Sequence, residues 1–137
     1  MGLILDSSVL IAAERRGRNA RQALAEIAAH AAGEDVALSV VTVLELAHGA
    51  ARANTPERKA AREQFIQELL SAVPVHPVSA SIALRAGRID GESRAKGLAL
   101  PLADLLIAVT ALELGHRIAT GNVRHFQRVP GVAVVAF

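Results

Sequence analysis

The sequence predicts an α/β fold, with a central parallel sheet covered by helices on both faces. Three observations predict it. The candidate strands include short, wholly apolar runs, Leu3-Ile4-Leu5 and Val36-Ala37-Leu38, without the in-and-out alternation of a half-solvated strand; such runs are buried on both sides. Strand-like and helix-like segments alternate from end to end, which is the arrangement that parallel neighbours require. Apolar residues make up 52% of the 137 residues, enough for one substantial core. The chain reads as a single domain over residues 1–137, with no repeat, low-complexity segment or linker.

Each element follows in order. Leu3-Ile4-Leu5 runs straight into Asp6-Ser7-Ser8, good N-cap residues, so a strand is expected to lead into a helix from Val9 to about Arg15. A basic turn, Arg15-Arg16-Gly17-Arg18-Asn19, separates it from a helix over Ala20 to Ala32, stopped by Gly33. Val36-Ala37-Leu38 is the second strand, and Ser39 caps a helix from Val40 to about Arg52. Thr55-Pro56-Glu57 supplies an N-cap, a proline at the first helical position and an acidic first turn. The helix it opens sets Ala61, Phe65, Leu69 and Ala72 in one stripe, with Arg58, Arg62, Glu63 and Gln67 mostly elsewhere.

Val73-Pro74-Val75-His76 is a third strand, and Pro74 makes it short or places it at an edge. Ser79 caps a long helix to about Lys96, closed by Gly97. Pro101 and Asp104 open the next, which ends at Gly115. Arg117 to Thr120 is the fourth strand, Asn122 to Phe126 a turn of helix, and Val132 to Val135 the last strand.

Three carboxylates stand out within this frame. Asp6 follows Leu3-Ile4-Leu5, Glu45 lies inside Val40 to Leu46, and Asp104 lies inside Leu102 to Ile107, all apolar runs without Lys or Arg. Burying an ionised carboxylate unpaired costs several kcal/mol on the usual order-of-magnitude scale, so three such sites point to a shared cation. In an open parallel sheet, ligands gather beyond the carboxyl ends of the strands. Asp6 sits directly after the first strand, Glu45 in the second turn after the second strand, and Asp104 in the first turn of the helix before the fourth. Asn122 follows that fourth strand. With the first strand central, all four side chains can converge at one edge of the sheet. Oxygen donors without Cys or His select a hard cation, Mg²⁺ or Mn²⁺, which retains waters and accepts phosphate oxygens. Each residue also has a plainer reading: Asp6 and Asp104 as helix caps or first-turn charges, Glu45 as half of a distant ion pair, Asn122 as a turn residue.

Composition narrows the function further. There is no Cys, Trp or Tyr and there are only three Phe, so neither a disulfide framework nor stacking platforms for single-stranded nucleic acid are available. The net charge of +2 is carried mostly by arginine, which permits phosphate contact without requiring it. Pro101, Asp104 and Glu113 interrupt the most apolar stretch, against a membrane span, and a soluble cytoplasmic protein is the expectation. A phosphoryl-accepting Mg²⁺ domain is a rival for an Asp after a strand. It would need a placed lysine, and neither Lys59 nor Lys96 is suitably positioned.

These segments together resemble the PIN-domain family, and within it the VapC-type toxin ribonucleases of bacterial toxin–antitoxin pairs. The matching stretches are Leu5 to Ile11, Ser39 to Leu46 with Thr42 and Glu45, Leu100 to Ala108 around Asp104, and Ala119 to Phe126. The resemblance implies a three-layer α/β/α fold whose five parallel strands are ordered 3-2-1-4-5, and Mg²⁺-dependent cleavage of RNA. It makes Asp6 and Asp104 the principal metal ligands, Glu45 the third acid, and Ser8 and Thr120 supporting hydroxyls. Many members have a fourth acid where this chain has Asn122, so one well-held metal is expected rather than two. The resemblance also implies a homodimer and an antitoxin partner that covers the site. Arg15, Arg16, Arg18 and the adjacent Arg21 are candidate contacts to RNA phosphates, as are Arg124 and His125; a solvated basic surface is the alternative. The alternative function is a catalytically inert PIN domain that binds RNA or a partner.

Overall fold

The computed structural model describes residues 1–137 and comprises five strands and seven helices in alternating order. They are β1 (Gly2–Leu5), α1 (Ser7–Arg15), α2 (Ala20–His30), β2 (Asp35–Ser39), α3 (Val40–Ala51), α4 (Pro56–Ala72), β3 (Val75–His76), α5 (Ala80–Ala95), α6 (Leu102–Leu114), β4 (Arg117–Thr120), α7 (Val123–Gln127) and β5 (Val134–Ala136). The strands form one sheet in the order β3-β2-β1-β4-β5, and every pairing is parallel. The predicted class and strand order are therefore observed, and β1 is central.

Alternation along β1 divides the core between the two faces of the sheet. Leu3 and Leu5 pack with Leu10, Ile27, Leu46 and Leu69 on the side of α1–α4. Ile4 points the other way, among Ile82, Leu105, Val109 and Phe126 of α5–α7. Burial of each large side chain of this kind supplies roughly 1.5–3 kcal/mol, so the two clusters hold the layers together without cross-links. Gly2 is required by close packing at the start of β1, because a Cβ there would fall 2.8 Å from the Asp35 carbonyl oxygen and 2.9 Å from His116 Nε2.

Three helix starts follow the expected caps, whereas α1 starts after Asp6 without a side-chain capping bond. Ser39, Thr55 and Ser79 accept backbone N–H bonds from Val41, Arg58 and Ile82 respectively. Asn19 forms a reciprocal capping box with Gln22. Gly115, at φ 67°, ends α6 in the left-handed region that glycine adopts without a Cβ penalty.

Several boundaries differ from expectation for local reasons. α1 begins at Ser7, two residues early, because Asp6 is still extended and both serines are helical. α2 stops at His30, and Ala32 and Gly33 both take positive φ in the turn that follows. β3 contains only Val75 and His76; the backbone before it still contributes, through the Pro74 carbonyl that accepts from Leu38 N–H at 2.9 Å. α7 starts at Val123 rather than Asn122, and β5 spans Val134–Ala136 because Ile118, Ala119 and Thr120 pair with those residues. The stripe on α4 is also narrower than expected: Phe65, Ile66 and Leu69 are buried, whereas Ala61 and Ala72 lie in solvent. No helix is long and apolar enough to cross a membrane.

Candidate active site

The central position of β1 decides where the acids meet. Its ladder with β4 ends at Leu5 opposite Ala119, and the Asp6 N–H extends it by donating to the Ala119 carbonyl at 2.9 Å. Asp6 thus leaves the carboxyl end of β1 beside that of β4. Thr42, fully buried on α3, donates from Oγ1 to the Leu5 carbonyl at 3.2 Å and ties the start of α3 to the same point. Glu45 lies one turn further along α3, and Asp104 is the third residue of α6.

Asp6 occupies the N-cap position of α1, yet its side chain makes no capping bond. Its Oδ2 instead accepts from Ser8 Oγ at 2.7 Å and from Thr120 Oγ1 at 2.8 Å. Those hydroxyls in turn accept backbone N–H bonds, Ser8 from Gly121 at 3.0 Å and Thr120 from Asn122 at 2.9 Å. A hydroxyl has one proton to give, so both protons are committed to Asp6 and the amides of the β4–α7 turn orient them. Both supporting residues expected from the resemblance are therefore found at Asp6. The capping explanation of this residue is set aside, since burial to 4% exposure serves a cluster of hydroxyls rather than the helix end.

The other two acids are each held in a similar way. Ser7 Oγ donates to Glu45 Oε1 at 3.2 Å, and His125 Nδ1 lies 3.2 Å from Asp104 Oδ2. An ionised carboxylate can only accept, so that histidine bond requires the proton on Nδ1. Each of the three acids is thus fixed through one oxygen, while Asp6 Oδ1, Glu45 Oε2 and Asp104 Oδ1 accept no hydrogen bond from the protein.

The carboxylates repel each other. Burial, then the Asp6 charge, push the Glu45 carboxyl above its ordinary range, with a further contribution from Asp104; the Ser7 bond opposes this in part. Burial, followed by Asp6, likewise raises Asp104, opposed by His125. No Arg or Lys forms an ion pair with any of the three. Negative charges gathered without an internal counter-charge, each with one oxygen free, fit a hard divalent cation. No three His, Cys, Asp or Glu side chains stand close enough together to form a ready cage. An ion held here would have to draw one or two of these carboxylates and complete its shell with waters or substrate oxygens.

The remaining candidates fall out differently. The Asn122 side chain is exposed and unbonded; its contribution to the cluster is its backbone N–H. Arg16 bonds Glu26 at 2.9 Å and Arg18 bonds the same carboxylate, which holds Glu26 below the usual carboxylate range, chiefly through Arg18. Arg15 and Arg124 are exposed and form no ion pair. Sequence reasoning missed Ser7 as the holder of Glu45, although a hydroxyl directly after Asp6 was a usable signal. It also left His125 without a partner, and only the packing of α7 against α6 supplies Asp104.

Comparison with known proteins identifies the family. The PIN domain family model matches residues 3–132. The tRNA(fMet)-specific endonuclease VapC of Salmonella typhimurium is 31% identical over 97 residues, 71% of each chain. Ribonuclease VapC1 of Rickettsia felis is 28% identical over 135 residues, covering 98% of this chain and 96% of that protein. Among solved structures, a toxin–antitoxin complex from Klebsiella pneumoniae superposes with a TM-score of 0.69 at 28% identity, over 98% of this chain and 96% of the other. With the strand order, the acids beyond the strand ends and the family match over nearly its whole length, the chain belongs to the PIN-domain family, and its relatives are VapC-type ribonucleases.

Proposed function

We propose that this protein is a Mg²⁺-dependent endoribonuclease, the toxin of a toxin–antitoxin pair, and that Mn²⁺ can substitute. The observation that carries the reading is the placement of Asp6, Glu45 and Asp104 around the end of β1, near enough for the Asp6 charge to act on the other two, with no Arg or Lys paired to them and one free oxygen on each. The relatives named as ribonuclease and endonuclease support RNA as the substrate, and the Klebsiella complex supports an antitoxin partner.

Asp6 Oδ1 and Asp104 Oδ1 would hold the ion, with Glu45 as the third acid. When bound, the ion supplies Lewis acidity that polarises the scissile phosphodiester and acidifies an attacking water. The chain's own residues do the rest. Ser8 and Thr120 keep Asp6 from rotating, so its free oxygen stays aimed at the site. Glu45, with its proton affinity raised by burial, is better suited than an ordinary carboxylate to take a proton from that water at Oε2. Asn122 brings no charge, which favours one tightly held ion over two.

The test is cleavage of purified RNAs with Mg²⁺, with Mn²⁺ and with excess chelator, starting from initiator tRNA because the Salmonella relative is named for it. Metal-dependent internal cuts are expected; cleavage that persists in chelator overturns the metal assignment. RNA binding without cleavage under any metal would favour the inert-module reading. The same reading includes a homodimer, for which the exposed Leu44 on α3, Leu84 on α5 and Leu102 on α6 are candidate contacts. Sedimentation should show dimers that Leu84→Glu converts to monomers. A wild-type monomer at all concentrations overturns the dimer alone.

A further inference from the structure

One side of the acid cluster continues into a groove. A cavity of about 160 Å³ between α1, α3 and α4 is lined by Glu45 at one end and by Arg15 and Arg62 beyond it, over an apolar floor that includes Phe65. Arg15, Arg62 and Phe65 also line a second, more open concavity of about 670 Å³, which adds Arg58 and Arg18. The two concavities share Glu14, Arg15, Arg62 and Phe65 and so adjoin, with Glu45 lining the first and Arg58 the second.

Charge in this groove is unevenly committed. Arg58 and Arg62 are four residues apart and so share one face of α4. Arg62 donates from Nη1 to the Gly49 carbonyl at 2.9 Å and lies 3.7 Å from Glu14, which fixes its guanidinium at the boundary of the two concavities. Arg15 and Arg58 are exposed and have no ion-pair partner. Arg18 is tied to Glu26, and Glu14 and Glu68 add negative charge to the walls. The unpaired positive charge is thus at the end of α1 and on α4, and of the three acids Glu45 is the one that lines the adjoining cavity.

We propose that this groove is the approach path of the RNA strand, with Arg15, Arg58 and Arg62 binding successive phosphates next to the one at Glu45. The inference rests on the ribonuclease reading and adds to it the direction from which substrate enters. Residues 58 to 66 of α4 span about 12 Å at the helical rise, a length that accommodates two or three nucleotides. Arginine engages phosphate in a bidentate manner and fixes the register of a strand without reading its sequence. The apolar floor is no obstacle, since the phosphates run along the rims. The basic turn visible in the sequence therefore serves only in part. Arg16 is tied to Glu26, and the arginines that replace it come from α4, far away in sequence.

The experiment measures anisotropy of a labelled 12-nucleotide single-stranded RNA with the full-length protein in excess chelator, where binding is read without cleavage. Arg15→Ala/Arg58→Ala together are expected to weaken binding at least about tenfold and to flatten the slope of log affinity against log salt by about 0.7 for each phosphate that is no longer neutralised. Arg94→Ala, on the far helix α5 and paired with Asp90, is the control and should leave both unchanged. Both substituted arginines are exposed, and unchanged melting curves confirm intact folding. Wild-type affinity and slope in the double variant, in a protein that still binds and cleaves RNA, overturn the groove and leave the ribonuclease reading intact. A wild-type protein that neither binds nor cleaves any RNA overturns the ribonuclease reading itself. Unchanged RNA binding together with an abolished inhibition by the antitoxin would assign the groove to that protein instead, and overturns the proposal as well.

Discussion

Asp6→Asn is expected to reduce metal-dependent RNA cleavage by about 10³-fold or more while leaving the fold intact. A divalent ion contributes several kcal/mol to stabilising charge in the transition state, and each ~1.4 kcal/mol is a factor of ten in rate. The substitution keeps the shape of the side chain. It removes the charge that Ser8 and Thr120 hold in place, at a position only 4% exposed. An amide oxygen in the Oδ2 position can still accept from both hydroxyls, which preserves the local structure. The NH₂ group then replaces Oδ1, the free oxygen, and offers donors where a cation needs an acceptor. Single-turnover cleavage and a melting curve on the same sample separate impaired catalysis from impaired folding. Activity within tenfold of wild type would remove Asp6 from the metal site.

Glu45→Gln and Asp104→Asn carry the second large effect, and it has two opposite signs. Each should cost cleavage at least about 10²-fold, for the same electrostatic reason. Each should also stabilise the metal-free protein at neutral pH, by roughly 2–4 °C in melting temperature, because a group retained for function is costly to the fold. The sign follows from the raised carboxyls. In the folded state both bind protons more tightly than in the unfolded chain, so folding takes up protons over the interval between the two affinities. Their contribution is therefore most favourable below the unfolded-state values, near pH 4, and is lost as pH rises through the raised folded-state values. This is the reverse of an acid held in an ion pair. Melting in chelator should show the advantage of the variants over wild type at pH 7.5 shrinking toward pH 4. Added Mg²⁺ should restore wild type and leave the variants nearly unmoved. Variants less stable than wild type at neutral pH without metal would show that the acids are paired after all.

Opposed effects of this kind explain why the site could be seen in the sequence at all. A carboxylate directly after Leu3 to Leu5, or between Leu44 and Leu46, contradicts the local pattern of burial, and such contradictions cluster where function outweighs stability. Glu45 was the clearest instance, since mid-helix it has no capping explanation. Asp6 and Asp104 both had one, and neither side chain caps its helix; Asp104 does stand in the first turn of α6, and each acid is turned toward a hydroxyl or imidazole donor.

Where sequence reading fell short, the missing information was distance through space. Ser7 and Glu45 are 38 positions apart, His125 and Asp104 are 21 apart, and Thr120 and Asp6 are 114 apart. The basic turn showed the same limit from the other side. Its nearby arginines looked alike as a sequence, but Glu26 on the next helix takes Arg16 and Arg18 and leaves Arg15 free. The stripe on α4 was read too wide because periodicity cannot tell where a helix rises out of the core, which it does beyond Leu69 and before Phe65.

The sequence by itself determined the order and type of the elements, the Ser39, Thr55 and Ser79 caps, and the three acids in or beside apolar runs. All of these are local, fixed by neighbouring side chains and by the period of burial. Only the tertiary structure decided which oxygen of each acid is held and which is free, that Asn122 serves through its backbone, and which arginines remain to meet a substrate. Those outcomes depend on how α1, α3, α6 and α7 pack around the end of one central strand. Charges and hydroxyls interact over a few ångströms of space, whatever their separation along the chain.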